Sequence, residues 1–223
     1  MSPQNDRPLR EAAVAAVQRM DALGMNRGST GNLSVRAVHA GQDGMLITPT
    51  GMEADQLRPQ DLVWVGCNGA VQGDWKPSSE WHFHRAVYMA RPDLNAVLHT
   101  HSTHATALAC LRRDLPAFHY MIAVAGGDTV PCVPYHLFGT EALSNAVGAA
   151  MTHRHACLMA NHGLVAAGPT LTKAMKVLQE IESLCEVYLK ALAVGEPALL
   201  SQAEMAEVIE KFKHYGQTAR AQA

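Results

Sequence analysis

Short apolar runs closed by turn residues alternate with stretches of helical periodicity along this chain, and nothing separates one kind from the other. That alternation is the strongest constraint on the fold, because intermingled strands and helices have to share one sheet and its covering helices. Apolar residues at Ala13, Val14, Val17, Met20 and Leu23 predict a helix over 10–23, stopped by Gly24. Strands are expected at 33–38, 45–48, 62–65, 96–101, 130–134, 156–160 and 164–167, with turn signals such as Pro49-Thr50-Gly51 and Cys67-Asn68-Gly69 between them. Further helices are expected at 76–90, 103–111, 141–151, 170–194 and 202–215. No repeat, linker or low-complexity stretch intervenes, so residues 1–223 are expected to form one α/β domain.

Composition removes several function classes. A formal net charge of -2, with basic residues scattered, leaves no electrostatic footprint for nucleic acid or an anionic membrane. No apolar stretch approaches the roughly 20 residues needed to span a bilayer, and residues 1–10 are too polar for a signal peptide. The five cysteines (Cys67, Cys110, Cys132, Cys157, Cys185) are odd in number and unpaired in spacing, which fits a reducing cytoplasm.

Twelve histidines are the compositional excess, and three HxH pairs stand among them. Residues two apart share a face only on a strand, where they lie roughly 6.5–7 Å apart and can close on one ion. His82/His84 fall in a helical segment, which rejects them as a ligand pair. His153/His155 follow a helix end, where positive charge is favoured. Only His99/His101 end a clearly apolar strand. A catalytic metal usually has three protein ligands and one open position, and the polar turn Asn161-His162-Gly163 is the best source of a third. On spacing alone, a three-histidine site and a hairpin that happens to hold a histidine remain equally open.

Glu80 also reads two ways. With Ser78 or Ser79 as N-cap it is an acid at a helix start, and plain capping explains it. The same helix end, with two hydroxyls, would bind a phosphate, and a carboxylate beside it could move a proton. Gly28-Ser29-Thr30-Gly31-Asn32 and Thr48-Pro49-Thr50-Gly51 could offer backbone donors to an anion, but match no nucleotide-binding fingerprint.

Taken in order, RGSTGNLSVR, GMLITPTGM, PSSEWHFHRAVYMARPDLNAVLHTHS, PAFHYMIAVAGG, NHGLVAAG and EKFKHYG resemble the class II aldolase/adducin family over about residues 25–217. The resemblance implies a three-layer αβα fold with a largely antiparallel central sheet, assembled as a homotetramer with active sites between subunits. It implies a divalent metal, usually zinc, on His99, His101 and His162, and Glu80 as a catalytic acid/base that can also lie against the metal. Gly31, Asn32, Thr50, Gly51, Ser78 and Ser79 match its phosphate-binding segments. Tyr120 matches a tyrosine from a neighbouring subunit that serves the aldehyde oxygen, and Tyr215 one that helps close the site. Asn161 and residues 39–43 depart from the family's usual pattern.

The activity implied is cleavage of a ketose 1-phosphate, such as L-fuculose 1-phosphate, to dihydroxyacetone phosphate and an aldehyde. A 5-deoxyribulose or 5-methylthioribulose 1-phosphate substrate would use the same motifs. Family epimerases carry Asp where Glu80 stands, and family dehydratases share the histidines but eliminate water. An adducin-like binding module would not need three histidines and a glutamate in register.

Overall fold

The computed structural model describes residues 6–213. Eight strands form one sheet: β1 (Asn32–His39), β2 (Gln42–Ile47), β3 (Val63–Gly66), β4 (Val71–Gln72), β5 (Ala96–Thr100), β6 (Cys132–Val133), β7 (Ala156–Met159) and β8 (Gly163–Gly168). Their spatial order is β4-β3-β2-β1-β5-β8-β7-β6, and only β6 and β7 run parallel. Six helices accompany them: α1 (Arg7–Ala22), α2 (Trp81–Ala90), α3 (Thr103–Cys110), α4 (Glu141–Met151), α5 (Leu171–Leu192) and α6 (Gln202–Phe212).

The pleat divides the sheet's side chains between two apolar clusters. Leu33, Val35, Leu98, Leu158 and Leu164 join residues of α1, α3, α5 and α6. Ile47, Val63, Val97, Met159 and Val165 join Phe83, Val87, Leu143 and Val147 of α2 and α4. Strands clad on both sides are apolar throughout, which is why β7 and β8 read as continuous runs rather than as alternating patterns.

The hairpin between β1 and β2 turns through Ala40 and Gly41, both at positive φ (48° and 79°) as a type I′ turn requires. Residues 39–43 close the ribbon, pairing His39 with Gln42 and Val38 with Asp43. They lie at the far end of β1 from Asn32, roughly 23 Å away at strand rise.

Several expectations are revised. The helix predicted from residue 76 starts only at Trp81. Pro77 pairs with Pro49, Thr50 N donates to Lys76 O (3.1 Å) and Ser78 N to Thr48 O (3.0 Å), so residues 76–78 stay extended. The short edge strand β4 and a 3-10 helix at Tyr120–Ala125 were not expected. The helix expected to residue 215 is seen to Phe212, and the remainder lies outside the described residues. Positive charge at the end of α4 comes from Arg91, which donates to the carbonyls of Met151 (3.3 Å) and Arg154 (3.2 Å). His155 has its pKa lowered, by burial and then by Arg91, so it does not supply that charge.

Candidate active site

β5 lies between β1 and β8, and its last residues carry the first two histidines. His99 is wholly buried, opposite Asn32 of β1 and Val165 of β8. Its Nδ1 lies 3.0 Å from the Leu164 carbonyl, which only accepts, so Nδ1 carries the hydrogen and Nε2 is the bare nitrogen. His101 stands one residue beyond the strand, its Nε2 3.0 Å from His99 Nε2. His162 comes from the three-residue loop joining β7 to β8, where Asn161 adopts φ +55° and its amide oxygen accepts from Arg112 Nε (2.8 Å). The three rings meet edge to face, with centroids 4.8–4.9 Å apart.

This approach depends on Gly163. A Cβ there would collide with the Thr100 carbonyl oxygen and crowd the His99 and His101 rings. The glycine that opens β8 therefore lets two strand ends close on each other.

Glu80 completes the group. It occupies the N-cap position of α2 but makes no side-chain cap, so Ser78 and Ser79 are not the N-cap that capping statistics suggested. Its carboxylate instead turns inward, buried, with Oε2 accepting from Asn32 Nδ2 (2.9 Å) and lying 3.3 Å from His99 Nε2. Oε1 lies 3.1 Å from His162 Nε2 yet lacks a hydrogen bond of good geometry. Burial opposes ionisation of Glu80, but His99, His162 and the Asn32 amide outweigh it and hold the carboxyl below the usual carboxylate range. Burial pushes His99 down to about 3, with Glu80 opposing, and lowers His101 as well.

These features suit a cation. The ligating nitrogens of His99, His101 and His162 all lie within 4.8 Å of one another. Neutral imidazoles are the form that binds metal, and Leu164 O fixes the His99 tautomer that presents Nε2. A buried carboxylate oxygen without a partner, aimed at the same point, is costly unless a positive charge compensates it.

Above the histidines opens a cleft of about 320 Å³. Gly31, Thr50, Gly51, Ser78 and Ser79 line it, brought together by the pairing of residues 48–50 with 76–78. Glu80, His101 and His162 form its base. Gly31 sits at φ +77°, where any side chain is strained, and a Cβ there would have to displace the Asn26 amide. Asn32 lines the cleft too, but its amide is turned to Glu80 and His84. Tyr120 is 51% exposed and lines no part of this cleft, and Tyr215 lies outside the described residues.

Sequence reasoning missed Tyr135 and Phe138, which flank the cleft mouth. Their signal was available as three large apolar residues, Tyr135, Leu137 and Phe138, in a short loop closed by Pro134 and Gly139. It also dismissed His84. That histidine is no metal ligand, but it is fully buried one hydrogen bond behind Asn32.

A mixed sheet that gathers three imidazoles and a carboxylate under a backbone-lined cleft defines an α/β enzyme site. The family model described as Class II Aldolase and Adducin N-terminal domain matches residues 11–189. A 5-methylthioribulose-1-phosphate/5-deoxyribulose-1-phosphate aldolase of Rhodospirillum rubrum is 48% identical over 212 residues, covering 95% of this chain and 94% of that one. An L-fuculose phosphate aldolase of Escherichia coli is 48% identical over 198 residues, covering 88% and 90%. A solved L-fuculose 1-phosphate aldolase superposes with a TM-score of 0.86 at 39% identity, covering 92% of this chain and 95% of the other. The chain belongs to the class II aldolase/adducin family, and it is an aldolase, a lyase by class.

Proposed function

We propose that this chain is a divalent-metal aldolase that cleaves a ketose 1-phosphate to dihydroxyacetone phosphate and an aldehyde. The observation that carries the reading is the convergence of three imidazole nitrogens and a buried carboxylate at the base of one cleft. His99, His101 and His162 would hold the ion, with Glu80 against it when substrate is absent. Zinc, the family's usual ion, is the metal proposed, and three imidazoles with an open position suit it. A cation so held supplies Lewis acidity toward the substrate's carbonyl and hydroxyl oxygens.

The chain's own groups do the rest. The turns at Gly31 and at Thr50-Gly51, with the Ser78 and Ser79 hydroxyls and the N-terminus of α2, bind the phosphate. Glu80, ionised and beside the histidines, moves the carbon-bound proton of the dihydroxyacetone phosphate portion. Tyr120 serves the aldehyde oxygen of a neighbouring copy's site, a role supported by its exposure and by its standing outside the lining of its own cleft. Tyr215 helps close the site. This reading takes residues 1–223 as one three-layer αβα domain, assembled as a cytoplasmic homotetramer. The two separate apolar clusters favour the three layers.

Two substrates stand level, L-fuculose 1-phosphate and a 5-deoxyribulose or 5-methylthioribulose 1-phosphate, because relatives named for each are 48% identical. An apolar pocket separates aldehydes that differ by a methylene or an added hydroxyl by only about 1–3 kcal/mol. Steady-state cleavage of all three compounds is the test. Release of dihydroxyacetone phosphate that stops on chelation and returns with zinc is expected, and the highest kcat/KM identifies the substrate. Failure to cleave any of them would overturn the reading.

A further inference from the structure

Behind Glu80 runs a line of buried polar groups that the proposed chemistry leaves unused. Asn32 gives a hydrogen from Nδ2 to Glu80 Oε2, which fixes its amide, because a carboxylate only accepts. Asn32 Oδ1 therefore faces the other way, 2.5 Å from His84 Nε2. An amide oxygen also only accepts, so His84 Nε2 carries the hydrogen and Nδ1 is bare. Ser34 Oγ, 2.8 Å from Nδ1, then has to donate to it. The Tyr88 hydroxyl has one hydrogen, which it shares between Ser34 O (3.0 Å) and Ser34 Oγ (2.9 Å). Every role in the line follows from the charge on Glu80, and reversing any member would set acceptor against acceptor.

All four supporting residues are buried, and burial keeps His84 neutral, its pKa pushed down to about 3. Phe83 and Val87 pack α2 on the sheet, and the Tyr88 ring joins them while its hydroxyl belongs to the line. Buried polar side chains are tolerated when each finds a hydrogen-bond partner, and every member of this line has one. The line reaches the cleft only at Glu80 and Asn32.

We propose that His84 is a positioning residue for Glu80: through Asn32 it holds Oε2 and so fixes the carboxylate between His99 and His162. The Asn32 amide oxygen sets the His84 tautomer, and the Ser34 hydroxyl answers its bare Nδ1. The Asn32 amide is thereby committed to Glu80, so a bound phosphate meets Gly31, Thr50, Gly51 and the two serines instead. The assignment rests on the aldolase reading for its consequence in turnover, and on hydrogen-bond geometry for its form.

The test compares zinc-loaded wild-type chain with His84→Gln, His84→Phe and Ser34→Ala. Each is measured for metal content, thermal midpoint, cleavage kinetics and exchange of dihydroxyacetone phosphate hydrogen with deuterated water. His84→Phe keeps the ring's volume and loses the donor. It is expected to lose roughly 10–100-fold in kcat and in exchange, with KM and zinc stoichiometry near wild type. His84→Gln, whose amide nitrogen can still donate to Asn32, is expected to recover much of that loss, and Ser34→Ala to fall between. Exchange at the wild-type rate in His84→Phe would overturn the proposal. So would equal impairment of the Gln and Phe variants with zinc or the thermal midpoint lost, which is what a structural role produces. Should His84→Phe not fold, nitrogen-15 spectra of the wild-type His84 ring decide alone: an Nε2–H tautomer supports the line and an Nδ1–H tautomer overturns it. Wild-type protein inert in cleavage and in exchange would sink the aldolase reading instead, and the same spectra would still judge the geometry.

Discussion

Glu80 holds a position where a helix cap, a proton carrier and a partner for cations are all chemically reasonable. Its geometry separates them: no side-chain cap is made, one oxygen is taken by Asn32, and the other is buried without a hydrogen bond beside His162. Glu80→Gln keeps the shape and removes the charge. Zinc should stay bound on the three histidines, while deuterium exchange into dihydroxyacetone phosphate falls by about 10²–10⁴-fold, the usual worth of a positioned base. Unchanged exchange would return Glu80 to a purely structural role. At this scale the sequence was half legible. His99 and His101 could be read because a strand's period of two predicts one face for both, and the chain keeps that direction for the one residue past the end of β5. His84 could not, because its partner Asn32 lies 52 positions away and no local period connects them.

At the scale of elements, the site is the meeting of two strand ends with one helix start. β5 delivers two histidines, the β7–β8 loop delivers the third, and α2 delivers Glu80 from the sheet face it shares with Val97 and Val165. The β5–β8 pairing runs from Ala96 with Gly168 to Thr100 with Leu164, so the His162 loop is carried to the His101 end of the sheet by register alone. Gly163 permits the last step. Gly163→Ala should cost about 1–3 kcal/mol of stability, as overpacking does, and should weaken zinc affinity because the added methyl pushes on both rings. Denaturant titration and competition with a zinc chelator measure the two effects, and an alanine variant that matches wild type in both would refute the close-approach account. Strands and long helices were readable here from apolar runs and periodicity. The late start of α2 was not, because it is imposed by hydrogen bonds between residues 48–50 and 76–78.

For the whole molecule, burying neutral histidines makes stability depend on pH. His84 and His99 are each pushed from 6.5 to about 3 by burial, so between those values the unfolded chain binds protons that the folded chain refuses. Their contribution is complete above about pH 6.5 and is lost as pH falls toward 3. Metal-free protein should thus be weaker at pH 5 than at pH 7.5, by on the order of 1–2 kcal/mol for each histidine. Equal urea midpoints at the two pH values would contradict that burial. Assembly is the other property of this scale. A tyrosine that leaves its own cleft and stands half exposed suits a ring in which each copy completes its neighbour's site. Tyr120→Phe and His99→Ala, each inactive alone, should regain activity when dissociated and reassembled together, because some mixed rings hold a site with both groups intact. Reassembly seen by native mass spectrometry with no activity would place Tyr120's work within its own chain.

The claim that a metal on His99, His101 and His162 and a base at Glu80 make one proton-transfer centre does not depend on the identity of the aldehyde. It is tested most directly by following the C3 hydrogens of dihydroxyacetone phosphate by proton NMR in deuterated water, with the zinc-loaded protein and no aldehyde present. One of the two hydrogens should be replaced by deuterium, with exchange stopping on chelation and resuming when zinc is restored. Two hydrogens that persist beside fully zinc-loaded protein would contradict the account.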